Sequence, residues 1–198
     1  MQETPIPLPP TVLVMTSAQT VSDELSAALD GDYKVIARED GPQSMGPALN
    51  QASADIVVIA RAVIDQKHLD AISDVVKRTP IPVLVFVEAD PHRMARQAIR
   101  AGVTSFVVDG LVAARVPTLI EVTMERFKLS EALRNELLKS QEELAARKII
   151  ERAKGLLMDR KQLNEQEAYR TLRELAMRQA KPLKEVAETL ITYSDILP

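Results

Sequence analysis

The 198 residues contain no cysteine and only two histidines, His68 and His92. Disulfides, thiolate nucleophiles and cysteine-ligated zinc or iron–sulfur centres are therefore excluded. The two histidines fall in separate helical stretches and read as surface residues rather than a dyad. Neither a glycine-rich phosphate loop nor a GxSxG elbow occurs. Asp65, Glu88 and Asp90 fall in loops on one side of the strand pattern given below and could form an acidic mouth, but no nucleophile stands beside them. These residues predict no enzyme, no catalytic group, no metal and no cofactor. The chemistry that remains is electrostatic. Residues 147–184 hold eleven Lys/Arg against five Asp/Glu, a net +6, whereas the rest of the chain carries −9, for a total of −3. A basic segment inside an acidic chain is the footprint of a polyanion site, although a solvated helical surface has the same composition.

Hydrophobic residues make up 46% and charged residues 27%, a balance that can bury a core. The longest apolar runs, at 12–15 and 83–87, fall far short of the roughly 18 residues needed to cross a bilayer. The first ten residues carry four prolines and no basic charge, unlike a secretory leader, so a cytoplasmic protein is expected. Short apolar runs at 11–16, 35–37, 55–60, 83–87 and 105–108 alternate with helical patterns at 22–29, 43–52, 64–77 and 91–101. Strands apolar on consecutive residues are those of a parallel sheet covered on both faces. The pattern predicts an α/β flavodoxin-like fold with a five-stranded parallel sheet in the order 2-1-3-4-5, whose ligands bind at the carboxyl ends of the strands.

This layout resembles the receiver domain of bacterial response regulators. The resemblance implies an acidic pair after the first strand, a phosphoacceptor aspartate ending the third, a hydroxyl ending the fourth and a lysine ending the fifth. At those places the chain has Thr16-Ser17, Ala60, Val87 and Asp109. Without the acidic pair there is no hard-oxygen cage for Mg²⁺. Ala60 offers no nucleophile at the phosphoacceptor position, and Asp109 reverses the charge of the lysine. Residues 11–115 therefore read as a pseudo-receiver without a phosphorylation site.

From residue 115 to residue 160 the only proline is Pro117 and the only glycine Gly155, which predicts one long helix or two collinear ones. Residues 116–144 are expected to form a short coiled coil, with Ile120, Phe127, Arg134 and Gln141 at a positions and Thr123, Ser130, Leu137 and Leu144 at d positions, joining the chain into a homodimer. The alternative is a lone helix stabilised by charge pairs of Glu121 and Glu125 with Arg126 and Lys128. Asn164 with Glu167 is a capping box opening a second helix to about residue 179, and Pro182 suits the start of a third. Leu183, Val186, Ala187, Leu190 and Ile191 form a stripe that must be buried. Arg147, Lys154 and Lys161 repeat at seven residues on the first helix, and Arg170, Arg173 and Arg178 lie on the second. The third carries Glu185 and Glu188, which would repel phosphate, so insertion into a DNA major groove is disfavoured relative to a folded RNA target.

Ala153-Lys154, Leu156-Leu157-Met158, Arg160, Glu167-Ala168, Leu172 and Ala176-Met177, followed by Glu185-Val186-Ala187, resemble the ANTAR domain of bacterial transcription antiterminators. With the degenerate receiver and coiled coil, the resemblance extends to the AmiR/NasT type, closest to the nitrate regulators (NasT) at 101–103 and 106–111. It implies a three-helix ANTAR unit at 145–198 that binds a leader mRNA through two hairpins with six-base loops and keeps a terminator from forming. It also implies a nitrate- or nitrite-sensing protein that sequesters the regulator. Lys154 and Arg160 match the family pattern and are the leading RNA-contact candidates. Arg147, Arg170 and Arg173 rest on the helix-face argument, Met158 and Met177 read as core, and Tyr169 suits either core packing or base stacking. The competing readings are a DNA-binding response regulator and a signalling adaptor that binds no nucleic acid.

Overall fold

The computed structural model describes residues 8–41, 43–90 and 93–196; His92 and the predicted helix start at Pro91 lie outside them. The chain divides into two compact units, Met1–Glu131 and Ala132–Pro198. In the first, strands β1 (Thr11–Met15), β2 (Lys34–Arg38), β3 (Ile56–Arg61), β4 (Val83–Val87) and β5 (Ser105–Val107) form one parallel sheet in the order β2-β1-β3-β4-β5. Helices α1 (Gln19–Ala28), α2 (Met45–Ala52), α3 (Gln66–Arg78) and α4 (Ala95–Arg100) make the crossovers.

Period-two alternation explains why the strand residues are apolar on both sides. Leu13, Met15, Val57, Ile59, Val83, Val85 and Val87 pack beneath α2, α3 and α4. Val12, Val14, Ile56, Val58, Ala60, Leu84 and Phe86 pack beneath α1 and the start of α5 (Val116–Lys161). Gly102, at φ +101°, turns the chain into β5 where a Cβ would stand 2.9 Å from a Val76 methyl, so only glycine fits. Of the helix predicted at 91–101, the described residues form α4 from Ala95, and the Asp90 carboxylate ahead of it accepts from the Met94 and Ala95 amides at 2.6 and 3.2 Å.

Helix α5 is continuous over 46 residues. Its first turns belong to the core of the first unit: Val116 and Ile120 are fully buried, and the buried Thr123 hydroxyl donates to the Leu119 carbonyl at 2.6 Å and accepts from the Ser105 hydroxyl at 2.8 Å. This corrects the predicted coiled-coil register, since Ile120 and Thr123 face the sheet rather than a seam. The exposed apolar residues of α5 are Val122, Leu129, Leu133, Leu137, Leu138 and Leu144. In the second unit the end of α5, α6 (Glu165–Gln179) and α7 (Leu183–Ile196) enclose Ala153, Leu157, Ala168, Leu172, Ala176, Val186 and Ala187. Asn164 Oδ1 accepts from the Glu167 amide at 2.9 Å while Glu167 Oε2 accepts from the Asn164 amide at 3.0 Å, which completes the expected capping box. Among the described residues no helix is long and apolar enough to cross a membrane.

Candidate nucleic-acid interface

At the carboxyl ends of the strands, Ala60 is the penultimate residue of β3, which runs one residue beyond the predicted 55–60 to Arg61, and is a buried methyl, while Thr16 Oγ1 accepts from the Ala18 amide at 3.2 Å. Of the three carboxylates that could have formed an acidic mouth, Asp65 and Asp90 are drawn into local structure, while Glu88 lines a cleft with Ala60. Asp65 caps α3 through the His68 amide at 3.0 Å and touches His68 Nδ1 at 2.5 Å; the amide first, then the ring, holds its carboxyl below the ordinary aspartate range. Asp90 caps α4, and the Arg61 guanidinium pairs with Asp40. Among the described residues, no three acidic or histidine side chains converge as a metal site would require.

The second unit places its cations in two distinct environments. Lys154 is only 6% exposed, and its ammonium donates to Glu165 Oε1 at 2.7 Å and to both Glu151 oxygens at 2.9 and 3.0 Å. Lys154 therefore does not share the solvent-facing side expected for Arg147, Lys154 and Lys161. The seven-residue repeat keeps the three on one side of α5, but the start of α6 covers the middle one. The Arg160 guanidinium donates to the Ser194 carbonyl at 2.9 Å and so ties the end of α5 to α7. Arg147, Lys161, Arg170 and Arg173 are exposed.

On α6 the buried phase is set by Ala168, Leu172 and Ala176. Beside it, at 100° per residue, Gln166, Tyr169, Arg170, Arg173 and Met177 fall within an arc of about 100° that contains no acidic residue, bounded by Glu165 next to Tyr169 and Glu174 next to Arg170. Tyr169 is 44% exposed and Met177 73% exposed. Exposure places Tyr169 outside the core and corrects the reading of Met177 as core, while Met158 is half-buried against the three-helix core as expected. Met177 and Gln166 were not predicted as part of this face. The signal was present: Met177 stands four residues after Arg173 and eight after Tyr169, out of phase with the alanine and leucine stripe. An array of two guanidiniums, an accessible phenol ring and a flexible thioether can pair phosphates and stack bases.

The Lys154 cluster has a measurable pH signature. The hydrogen bond from Lys154 lowers the Glu165 pKa, and the bonds to Glu165 and then Glu151 raise that of Lys154. With the Glu165 pKa lowered, its contribution is complete above the ordinary glutamate pKa and disappears as pH falls through the folded value. With the Lys154 pKa raised, its contribution is complete below the ordinary lysine pKa and disappears as pH rises through the folded value. Glu165→Gln should therefore lower the thermal midpoint of the second unit at neutral pH. The difference from wild type should vanish as the carboxyl protonates in acid, read by circular dichroism across pH.

Comparison with known proteins gives the two units separate counterparts. Residues 139–191 match the ANTAR domain. Over 177 residues the chain is 26% identical to the transcriptional regulatory protein PdtaR of Mycobacterium tuberculosis, covering 85% of this chain and 86% of that protein. Among solved structures, a response regulator from Thermotoga maritima superposes with a TM-score of 0.53 at 16% identity, over 60% of this chain and 99% of that one. NtrX from Brucella abortus superposes with a TM-score of 0.54 at 20% identity over 65% of this chain, which spans only 29% of the NtrX chain. At these identities the structural likeness concerns the fold. The chain thus carries a C-terminal ANTAR domain behind a receiver fold, and it is similar over most of its length to a mycobacterial transcriptional regulatory protein.

Proposed function

We propose that the protein is an RNA-binding transcription antiterminator, cytoplasmic and non-enzymatic, that engages paired hairpins of a leader mRNA and is controlled by a partner protein rather than by phosphorylation. The observation that carries this reading is the acid-free face of α6, with Tyr169, Arg170 and Arg173 exposed together inside an ANTAR domain. A helical face of this kind lies against clustered phosphates and splayed loop bases, whereas α7, the helix placed to enter a DNA groove, bears Glu185 and Glu188. In this reading residues 11–115 are the docking module, 116–144 bring two chains together and 145–198 contact RNA. Arg147 adds a phosphate contact, while Lys154 and Arg160 brace the three helices. The similarity to a transcriptional regulatory protein and the missing phosphoacceptor support regulation through a bound sensor. The resemblance to the nitrate regulators points to a nitrate- or nitrite-sensing partner and to nitrate assimilation genes as targets.

The test is a filter-binding comparison of the full chain on a two-hairpin leader RNA, the same RNA with both loops replaced by stable tetraloops, and duplex DNA of equal length. Selective binding to the intact leader is expected. Preference for the duplex would point to a DNA-binding regulator, and binding to none of the three would leave a signalling adaptor.

A further inference from the structure

The first unit carries its positive charge on one side. Between Asp90 and Asp109 the chain has three arginines, Arg93, Arg96 and Arg100, and no acidic residue, whereas residues 1–90 hold six Lys/Arg against thirteen Asp/Glu, a net −7. All three arginines are exposed. Arg38, Arg61 and Arg78 each donate to a carbonyl or carboxylate nearby, but the guanidiniums of Arg93, Arg96 and Arg100 make no hydrogen bond or ion pair with the described residues. The phase of α4 explains this. Ala98 is its buried residue, and at 100° per residue Arg96 and Arg100 each lie about 160° round the helix from it, one turn apart on the outward face. Ile99 stands beside them and is 53% exposed. Val108, just past the edge strand β5, is 39% exposed and follows by alternation the side of Phe106, which packs in the same core layer as Ala98.

Guanidiniums around exposed aliphatic side chains have the composition of a protein interface, where arginine is enriched and lysine depleted. Charge then selects the partner. A second copy related by a two-fold axis would bring the same arginines against each other. An extended polyanion such as RNA would run from this side onto a body of net −7, and among the described residues of this unit no aromatic ring is exposed to stack a base. An acidic protein surface of limited extent meets only the arginines. We infer that α4 and the adjoining edge strand are the docking face for the regulating partner, which presents carboxylates around an apolar centre. The inference rests on the proposed control by a bound protein and names the face and the chemistry of that contact. Bidentate pairing of carboxylates with Arg96 and Arg100 fixes the orientation of the partner, and Ile99 supplies the apolar area.

The probe is a synthetic peptide of alternating glutamate and leucine, titrated against the full chain by fluorescence anisotropy, with a single-stranded RNA of equal charge beside it. Saturable binding of the peptide is expected. Arg96→Glu combined with Arg100→Glu should weaken it about tenfold, because like charges then face each other, and Ile99→Ser should weaken it about threefold. Arg38→Glu with Arg78→Glu makes the same change of net charge elsewhere on the unit and should stay within about twofold of wild type. All five side chains are exposed, so the core is untouched, and circular dichroism checks that each variant is folded. The inference is overturned if the peptide does not saturate, or if the two double variants lose affinity equally. It is also overturned if the Arg96 and Arg100 reversals weaken the RNA and spare the peptide, which would assign the face to nucleic acid. Leader RNA separates this result from the antiterminator reading. A chain that takes the leader and not the peptide loses the docking face alone, and one that takes the peptide and not the leader loses the antiterminator reading alone.

Discussion

A chain carrying Leu137→Glu and Leu144→Glu should sediment as a monomer and bind a two-hairpin leader about 10²–10⁴-fold more weakly, with its affinity for a single hairpin unchanged. The expectation rests on the phase of α5. Val122, Leu129, Leu133, Leu137 and Leu144 are all exposed, and at 100° per residue they fall within about 80° of one another. Val122, Leu133 and Leu144 repeat at eleven residues, a spacing that keeps a seam on one side of a nearly straight helix. Fully burying one leucine contributes about 1.5–3 kcal/mol, so a stripe of this length, doubled in a pair of chains, can offset the cost of association. Two glutamates on the same stripe would place four carboxylates in the seam of the pair, and like charges desolvated together do not assemble. Once the chains separate, the second hairpin no longer meets a tethered partner, and the avidity from two weak sites is lost. Wild-type sedimentation of the double variant would place the interface elsewhere. A monomer that holds both hairpins as tightly as wild type would remove dimerisation from the mechanism.

The register of that stripe was the part of α5 that sequence reasoning misassigned, and the cause is physical. A heptad drawn from Ile120 and Thr123 assumes that one face serves the whole helix. Those two residues instead answer to the sheet: Ile120 packs with Val14, Val58 and Phe86, and Thr123 bonds Ser105. The helix changes the face it uses once it leaves the receiver core, and periodicity alone does not show what lies beside each turn. The strands were legible because Val57-Val58-Ile59 and Val83-Leu84-Val85 are apolar on consecutive residues, a signature that only double coverage demands. Helix α6 was legible to the residue because the capping box at Asn164 marks its start. Lys154 was placed wrongly because its partners arise from tertiary packing. Glu151 is on its own helix, but Glu165 arrives from α6, and the two together draw the ammonium out of solvent. The reading of residues 11–115 as a pseudo-receiver rests on Thr16-Ser17, Ala60, Val87 and Asp109 together, because a single position depends on where each strand is taken to end.

The second large effect concerns the RNA face of α6. Arg170→Ala combined with Arg173→Ala should weaken binding to every hairpin and reduce the dependence of log affinity on log salt by about 0.7–0.9 for each phosphate contact removed. Both arginines are exposed on an acid-free arc, so their charge is available to a ligand rather than spent within the protein. Tyr169→Ala should cost about 1–3 kcal/mol if a loop base stacks on the ring, with the salt dependence unchanged, and Tyr169→Phe should restore most of the loss because stacking needs the ring and not the hydroxyl. Lys154→Met separates a phosphate contact from a structural ion pair. Its ammonium already serves Glu151 and Glu165, so the variant should lose thermal stability and yet, at a temperature where it is folded, keep the wild-type salt slope. A slope reduced by Lys154→Met and untouched by the double arginine variant would move the interface from α6 to α5. The distinction is decisive because the two sets of cations sit in different surroundings, one closed by carboxylates and the other open beside an exposed aromatic ring.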